Sequence, residues 1–490
     1  MSTPPFYKGE KAKFWSISGN DLLAKLQRDF GKTPFVFLRQ KNIYFANKDC
    51  IFDEYHQGFF NQWLYALAES YNIDTNMISS RSLEFAWHFV QAKFAADQNI
   101  FIDAKQAYPH IVPCMGKFID TRTFKFTAPN KKYLKRHVHP HDFSDTEDLT
   151  ELMTPGYYKD ITEMMLKIYD GDQDMIRIVQ QAFGLSFYLG PEYEKFYVFI
   201  GPGGSGKSTV FDLLQAAVGV RNTSAVSIAA MKDPFMLASM LDKSINISTE
   251  NAKNVSGSME FVKQITSNDV MPVNQKNKAI ELGIYDARMF FACNEELMIK
   301  DLSGDIRRRM VIVPHNVVFT KGDKHDRTLR HRIKKSWGKK ALMFALCGLR
   351  DIKENGLFVH AECERLGEQM KLDNDFWLSF VTSWIRVTRD DESFEPTGKV
   401  VGKVKEVWDY FNHRGSLGNA FAISSRINKS IKEAFDYDSK RILKRFDGEP
   451  TRGFIGIELR IKATDDMSPE ELARESLHAV KNIPNFAPPS

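Results

Sequence analysis

Cysteine is scarce: five in 490 residues, at positions 50, 114, 293, 347 and 363, with no CxxC pair. So few, so scattered and odd in number, they argue against a disulfide framework or a zinc site and point to a reducing compartment. No run of about 18 apolar residues occurs, which excludes an expected membrane-spanning helix. The opening MSTPPFYKGEKAKFW lacks the apolar centre of a secretory leader, so a cytoplasmic location is expected. Internal repeats and long low-complexity tracts are missing as well. Neither charge sign dominates, because 67 Lys and Arg against 62 Asp and Glu leave only +5. That balance permits nucleic-acid binding without arguing for it.

What is present is core material. Hydrophobic residues make up 43% of the chain and 38 residues are Phe, as in a soluble globular protein of two to four domains. Aromatic-rich strands and helices alternate through the first hundred residues, with a hairpin predicted over 33–45 and helices over 53–71 and 82–96. Short strands are expected in 111–126, a solvated basic loop in 131–142 and a helix over 172–189. The alternating His137, His139 and His141 fall in that loop and read as solvated rather than metal-binding. From Lys195 on, β-rich runs at 195–200, 243–248, 287–292 and 309–314 alternate with helices, the pattern of a mainly parallel sheet with crossover helices. One helix is predicted over 326–352, its basic start either lining DNA, facing acidic neighbours or simply solvated, and 391–402 reads as a linker.

The chemistry concentrates at Gly201-Pro-Gly-Gly-Ser-Gly-Lys-Ser-Thr209, a full match to G-x-x-x-x-G-K-[ST]. Gly201, Gly203, Gly204, Ser205 and Gly206 let backbone N–H groups turn inward on phosphates, and the following helix aims its N-terminus at the same charge. Lys207 reaches β and γ phosphates, the Ser208 hydroxyl suits Mg²⁺, and Thr209 opens the helix. ATP and Mg²⁺ are the ligands this implies.

Glu250 lies 43 residues after Lys207 at a predicted strand end, where a carboxylate polarises attacking water or helps hold metal. A surface glutamate after a strand looks the same in sequence. Asn294 follows the next strand and suits a water-holding amide, although strand ends also carry Asn to make turns. Arg307, Arg308 and Arg309 precede another strand. A guanidinium set against the γ phosphate of a neighbouring subunit stabilises transition-state charge; pairing with Asp301 and Asp305 of the same chain is the alternative. Between these motifs, 265–278 reads as a helix end and a β-hairpin with Lys276 and Lys278 at its tip, suited to a phosphate backbone or only to solvent.

These segments, in this order within roughly 110 residues, resemble the superfamily 3 helicases, most nearly the phage, plasmid and poxvirus-type primase-helicase ATPases. GPGGSGKST, INISTE, TSNDVMPVNQKNK, FFACNE and DIRRRMVIVP are the matching motifs. The resemblance implies an AAA+-like α/β core, a hexameric ring with ATP sites between subunits, and 3′ to 5′ movement on single-stranded DNA. By position it implies Lys276 as the DNA-tracking lysine, Glu250 and Asn294 at the γ phosphate, and Arg308 or Arg309 as the finger, Arg309 preferred because it abuts the strand. Two departures stand out: Thr249 precedes Glu250 where relatives often pair acids, and Asn274-Gln275 precede Lys276 where they carry charge.

No convincing acidic pair for primase metals stands in the first 190 residues, so a separate primase or polymerase is expected. The C-terminal helices and hairpin suggest a winged helix, with Arg426, Lys429, Lys444 and Arg445 facing DNA, duplex origin DNA included, or serving a protein-docking module. The expected organisation is 1–107 an α/β or mainly helical N-terminal domain, 108–190 a region preceding the ATPase, 191–320 the ATPase core, 321–375 a helical segment, 376–465 the winged helix and 466–490 a tail. An ATP-driven replicative helicase is the leading reading; an ATP-regulated replication initiator with little unwinding of its own is the alternative.

Overall fold

The computed structural model describes residues 35–38, 42–46, 50–55, 57–70, 78–93, 100–188, 190, 192–249, 258–276, 280–294, 304–319, 326, 328–374, 376–390, 392–410, 417, 419–446 and 449–459. The architecture is mixed α/β, and the described residues fall into two compact units, one ending at Gly367 and one starting at Glu368. None of the described helices is long and apolar enough to cross a membrane.

The first unit opens with an antiparallel sheet, β1 (Phe35–Leu38), β2 (Asn42–Ala46) and β3 (Phe52–Tyr55), in which Phe35 pairs with Phe45 as the predicted hairpin requires. Helices α1 (Gln57–Ser70), α2 (Ser80–Lys93) and α3 (Ile100–Ala107) follow. A second sheet holds β4 (Ile111–Met115), β5 (Phe118–Asp120), β6 (Lys125–Thr127) and β7 (His139–Asp142) in the order β6-β5-β4-β7. The solvated loop expected over 131–142 therefore gives way to a strand at its end, with His139 and His141 buried.

Next come α4 (Lys159–Ile168) and α5 (Gln173–Leu185). Asp172 caps α5, its Oδ1 accepting from the Met175 N–H at 2.9 Å, which satisfies one otherwise unpaired donor of the first turn. The apolar spacing of Met175, Val179, Ala182 and Phe183 then buries one face. The central elements are β8 (Phe196–Ile200), α6 (Lys207–Val218), β9 (Thr223–Ser224), α7 (Pro234–Ala238), β10 (Ile245–Ser248), α8 (Met259–Thr266), the hairpin β11 (Val270–Val273) and β12 (Glu281–Ile284), β13 (Arg288–Cys293), α9 (Gly304–Arg309) and β14 (Met310–Pro314). Five of these strands form a sheet in the order β14-β8-β13-β10-β9, and every pairing in it is parallel. Strands buried on both faces read as continuous apolar runs; all six residues of β13 are buried.

The helix predicted over 326–352 is two: α10 (Leu329–Ser336) and α11 (Gly338–Asn355), which meet at Trp337. A Cβ on Gly338 would lie 2.6 Å from His141 and 2.9 Å from the Ala216 carbonyl, so the chain passes here at backbone distance. Helix α11 packs on α5 through glycines: a Cβ on Gly348 would sit 2.0 Å from the Gln180 carbonyl, and one on Gly184 2.4 Å from Leu349 N. Arg177 clamps the pair with two 2.7 Å bonds to Asp351. The basic start of this region faces acids: Arg330 and Lys334 meet Asp212, and Lys340 meets Asp160.

His139 and His141 sit at the C-terminal end of α6, with Nδ1 of His139 2.9 Å from the Val218 carbonyl and Nε2 of His141 2.7 Å from that of Ala217. Carbonyls only accept, so these nitrogens donate and help satisfy the last turn of the helix. Burial pushes both pKa values down, His139 furthest, and lowers that of His137 to about 3. A histidine whose pKa is depressed on folding supports the fold above its unfolded value near 6.5 and withdraws that support as pH falls toward the folded value. The melting temperature should therefore drop steeply between about pH 6.5 and pH 4. His139→Gln should flatten that dependence, as thermal unfolding over a pH series would read.

The second unit contains α12 (Phe376–Trp384), β15 (Ile385–Val387), β16 (Phe394–Pro396), α13 (Thr397–Tyr410), α14 (Ala420–Phe435), β17 (Arg441–Phe446), β18 (Glu449–Ile455) and β19 (Ile457–Leu459). The linker expected over 391–402 is β16 and the start of α13: Phe394 pairs with Ile455, and Val400 is wholly buried. Ile423, Ile427 and Ile431 of α14 pack with Val381, Val404 and Phe454 into a separate small core.

Candidate functional site

The glycine loop joins the end of β8 to the start of α6, in the order strand, loop, helix. Each special glycine has its own cause. A Cβ on Gly201 would lie 2.2 Å from the His315 carbonyl, while Gly204 and Gly206 have φ of +79° and +89°, a region that L side chains disfavour. Lys207 is the first helical residue, and its ammonium donates to the carbonyls of Gly201 (2.6 Å) and Pro202 (2.9 Å) and to Ser205 Oγ (3.2 Å). Burial lowers its pKa. Ser208 is exposed, and Thr209 is half-buried.

The parallel register brings three strand ends together. Cys293 pairs with Ile200, and the Gly201 N–H donates to the Cys293 carbonyl at 3.2 Å. Asn294 follows directly and is exposed, and Thr249 follows β10 in the same way. A cleft of about 950 Å³ opens over these ends, lined by 203–209, Thr249 and Asn294, by charged Lys167, Asp326, Arg330 and Arg332, and by apolar Ile168, Phe319 and Leu329. A crevice at the carboxyl ends of parallel strands is where open α/β sheets bind ligands. Glu250 and Lys278 lie outside the described residues.

The arginines part company. Arg309 is 3% exposed, its guanidinium 2.9 Å from both Glu194 and Ser267 Oγ and 3.1 Å from the Asp305 carbonyl. Burial works against the Glu194 carboxylate, yet hydrogen bonds from Arg309 and Ser267 outweigh it and hold its pKa below the usual range. The preference for Arg309 as a group reaching outward thus conflicts with its geometry, since withdrawing this buried guanidinium would break its bonds to Glu194, Ser267 and the Asp305 carbonyl. Arg308, beside it, is 61% exposed and contacts Glu194 at 3.2 Å.

Lys276 is exposed in the turn of the β11–β12 hairpin. In the second unit Arg426 and Lys429 are exposed one helical turn apart on α14, with the Arg426 guanidinium 5.3 Å from the Trp377 ring centre. Lys444 and Arg445 are also exposed, but as neighbours on β17 they point to opposite faces of the ribbon.

Several residues around the cleft carry no sequence signal. His315 is wholly buried beneath the loop and bonded to Tyr169 and to the Ser205 carbonyl; the Phe319 N–H donates to the Gly204 carbonyl at 3.0 Å. Arg330 pairs with the buried Asp212 of α6 while lining the cleft. Among the described residues no three metal-ligating side chains cluster. None of the five cysteines is in a disulfide.

Residues 199–309 match a family described as of unknown function, DUF5906. No curated protein matches. Among solved structures, the A form of the apo NrS-1 C-terminal region is similar at TM-score 0.51 and 12% identity, covering 89% of this chain and 98% of that one. A second, the apo NrS-1 C-terminal region 305–718, matches at TM-score 0.47 and 13% identity, covering 91% and 100%. At such identity the likeness of the first is one of fold.

Proposed function

We propose that the chain is a P-loop ATPase with an AAA+-like core and a C-terminal winged helix, working as an ATP-dependent DNA helicase of the superfamily 3 type in the replication of a phage, virus or mobile element. One observation carries the reading: Lys207, Asn294 and Thr249 come from three adjacent parallel strand ends into one cleft, around a loop in which Gly201 is required by backbone approach and Gly204 and Gly206 by positive φ.

The residues present fit ATP and Mg²⁺. The open side of Gly203, where a Cβ would meet nothing within 4 Å, leaves room for a phosphate. The loop N–H groups and Lys207 would hold the β and γ phosphates, and the Ser208 hydroxyl would hold the metal. Bound magnesium supplies charge neutralisation on the phosphate oxygens. Asn294 would orient the attacking water and Glu250 would take its proton, while Arg308 would cross to the site of a neighbouring subunit in a hexameric ring. Lys276 would track single-stranded DNA. On the C-terminal unit Arg426, Lys429 and one of Lys444 and Arg445 would bind phosphates of a duplex.

That exposed basic face favours a second reading, an ATP-regulated initiator whose DNA binding outweighs unwinding. Lys276→Ala separates the two. On the helicase reading it abolishes strand separation of a forked duplex and leaves basal ATP hydrolysis and duplex binding within about threefold. Unwinding that persists in Lys276→Ala but disappears in Arg426→Ala/Lys429→Ala supports the initiator.

A further inference from the structure

The geometry points to His315 as a positioning residue that, together with Tyr169, sets the phosphate loop by holding one of its peptide groups. The inference rests on the nucleotide-binding reading above. His315 follows β14, and its own N–H donates to the Ile200 carbonyl at 2.7 Å, which ties it to the strand leading into the loop. Its ring is wholly buried, with Nδ1 2.9 Å from the Ser205 carbonyl and Nε2 2.9 Å from the Tyr169 hydroxyl. Tyr169 caps the end of α4 and is 6% exposed.

The proton positions follow from the partners. A carbonyl can only accept, so Nδ1 carries the hydrogen. Burial pushes the His315 pKa down to about 4, so the ring is neutral near pH 7 and Nε2 is an acceptor. The Tyr169 hydroxyl then donates to it. The relay runs from Tyr169 through His315 to the Ser205 carbonyl with one arrangement of protons, and the tyrosine fixes the tautomer that the loop needs.

The consequence for phosphate binding comes from the peptide plane. In a trans peptide the carbonyl of one residue and the N–H of the next point in opposite directions, and the described residues have no cis peptide bonds. Drawing the Ser205 carbonyl toward His315 therefore turns the Gly206 N–H away from it, to the side where Gly206 lines the cleft. Gly206 has φ of +89°, a position with no side chain of its own to resist rotation of that plane. Without the relay the Ser205–Gly206 peptide is free to turn, and an N–H donor leaves the phosphates. A histidine that only filled space would need neither the tyrosine hydroxyl nor a loop carbonyl.

The test is equilibrium binding of a fluorescent ATP analogue with Mg²⁺ to the full chain, with thermal unfolding of each variant measured alongside. His315→Phe should weaken binding by roughly tenfold or more, the loss of one hydrogen bond to a buried acceptor. Tyr169→Phe, which removes only a hydroxyl, should weaken it by about threefold to tenfold. His315→Asn places an amide donor near the former Nδ1 and should restore most of the affinity lost in His315→Phe. Binding by both Phe variants equal to that of the unchanged protein, while Lys207→Ala loses it, overturns the role of His315 and leaves the nucleotide site standing. Affinity losses in Tyr169→Phe and His315→Phe that His315→Asn does not recover, and that follow the melting temperature, also overturn it. If the unchanged chain does not bind the analogue, the nucleotide reading itself fails.

Discussion

Lys207→Ala should reduce ATP hydrolysis to the background of the assay, a loss of at least about 10³-fold and so about 4 kcal/mol of transition-state stabilisation. The lysine begins α6 and holds its ammonium against the carbonyls of Gly201 and Pro202 and the hydroxyl of Ser205. Three acceptors within a single turn of chain fix the charge where the loop closes. Burial lowers its pKa, and such a desolvated cation gains most from an arriving phosphate. The change removes no part of the apolar core, which includes residues of both sheets of this region and of helices α4, α5, α6 and α11 but not Lys207. Phosphate release with and without single-stranded DNA is the measurement, and a melting temperature within a few degrees of the unchanged protein shows that the loss is chemical.

Arg308→Ala and Arg309→Ala should fail in different ways. Arg308 is exposed and its loss should lower hydrolysis by about 10³-fold while leaving nucleotide affinity within about threefold, the behaviour of a group that acts from a neighbouring subunit on developing charge. Arg309 is buried against Glu194 and Ser267, so its loss leaves Glu194 without the buried cation that helps hold its pKa down. That variant should lose stability by about 1–2 kcal/mol, the scale of lost hydrogen bonds at a buried side chain, seen as a lower melting temperature. Mixing is the sharper assay. A Lys207→Ala subunit keeps Arg308, and an Arg308→Ala subunit keeps Lys207, so mixed rings of the proposed kind would contain intact composite sites. Recovery of hydrolysis on mixing the two inactive variants is expected. Mixtures that stay inactive, although the variants co-assemble, contradict action in trans.

Much of the site is legible in the sequence because its residues are local there. Gly201 to Thr209 is one continuous stretch, and the G-x-x-x-x-G-K-[ST] spacing of its glycines before Lys207 and Ser208 is the signal that singles it out. The apolar runs ending at Ser248, Cys293 and Pro314 are strands within a few residues of their predicted bounds. Contacts between distant segments leave no such trace. Tyr169 and His315 are 146 residues apart, and neither stands in a recognisable motif. Arg309 and Arg308 are indistinguishable as letters; the turn of α9 buries one and exposes the other. The histidine run reads as solvated because basic residues and Pro140 surround it, whereas alternation on β7 sends His139 and His141 inward and Pro140 outward. Polar composition likewise disguises 391–402, where Pro396 ends a strand and Thr397 begins a helix. Gly338 is compatible with one long helix, yet the helix breaks at Trp337, where Gly338 lies against α6 and β7 too closely for a side chain.

Every role proposed for these residues depends on the cleft over the strand ends binding a nucleoside triphosphate through the glycine loop. Isothermal titration of the full chain with ATP and Mg²⁺ tests it most directly. Saturable binding at one site per chain with a dissociation constant on the order of micromolar is expected, weakened when the metal is chelated and lost in Lys207→Ala. No heat of binding in the unchanged protein, or equal binding by Lys207→Ala, would contradict it.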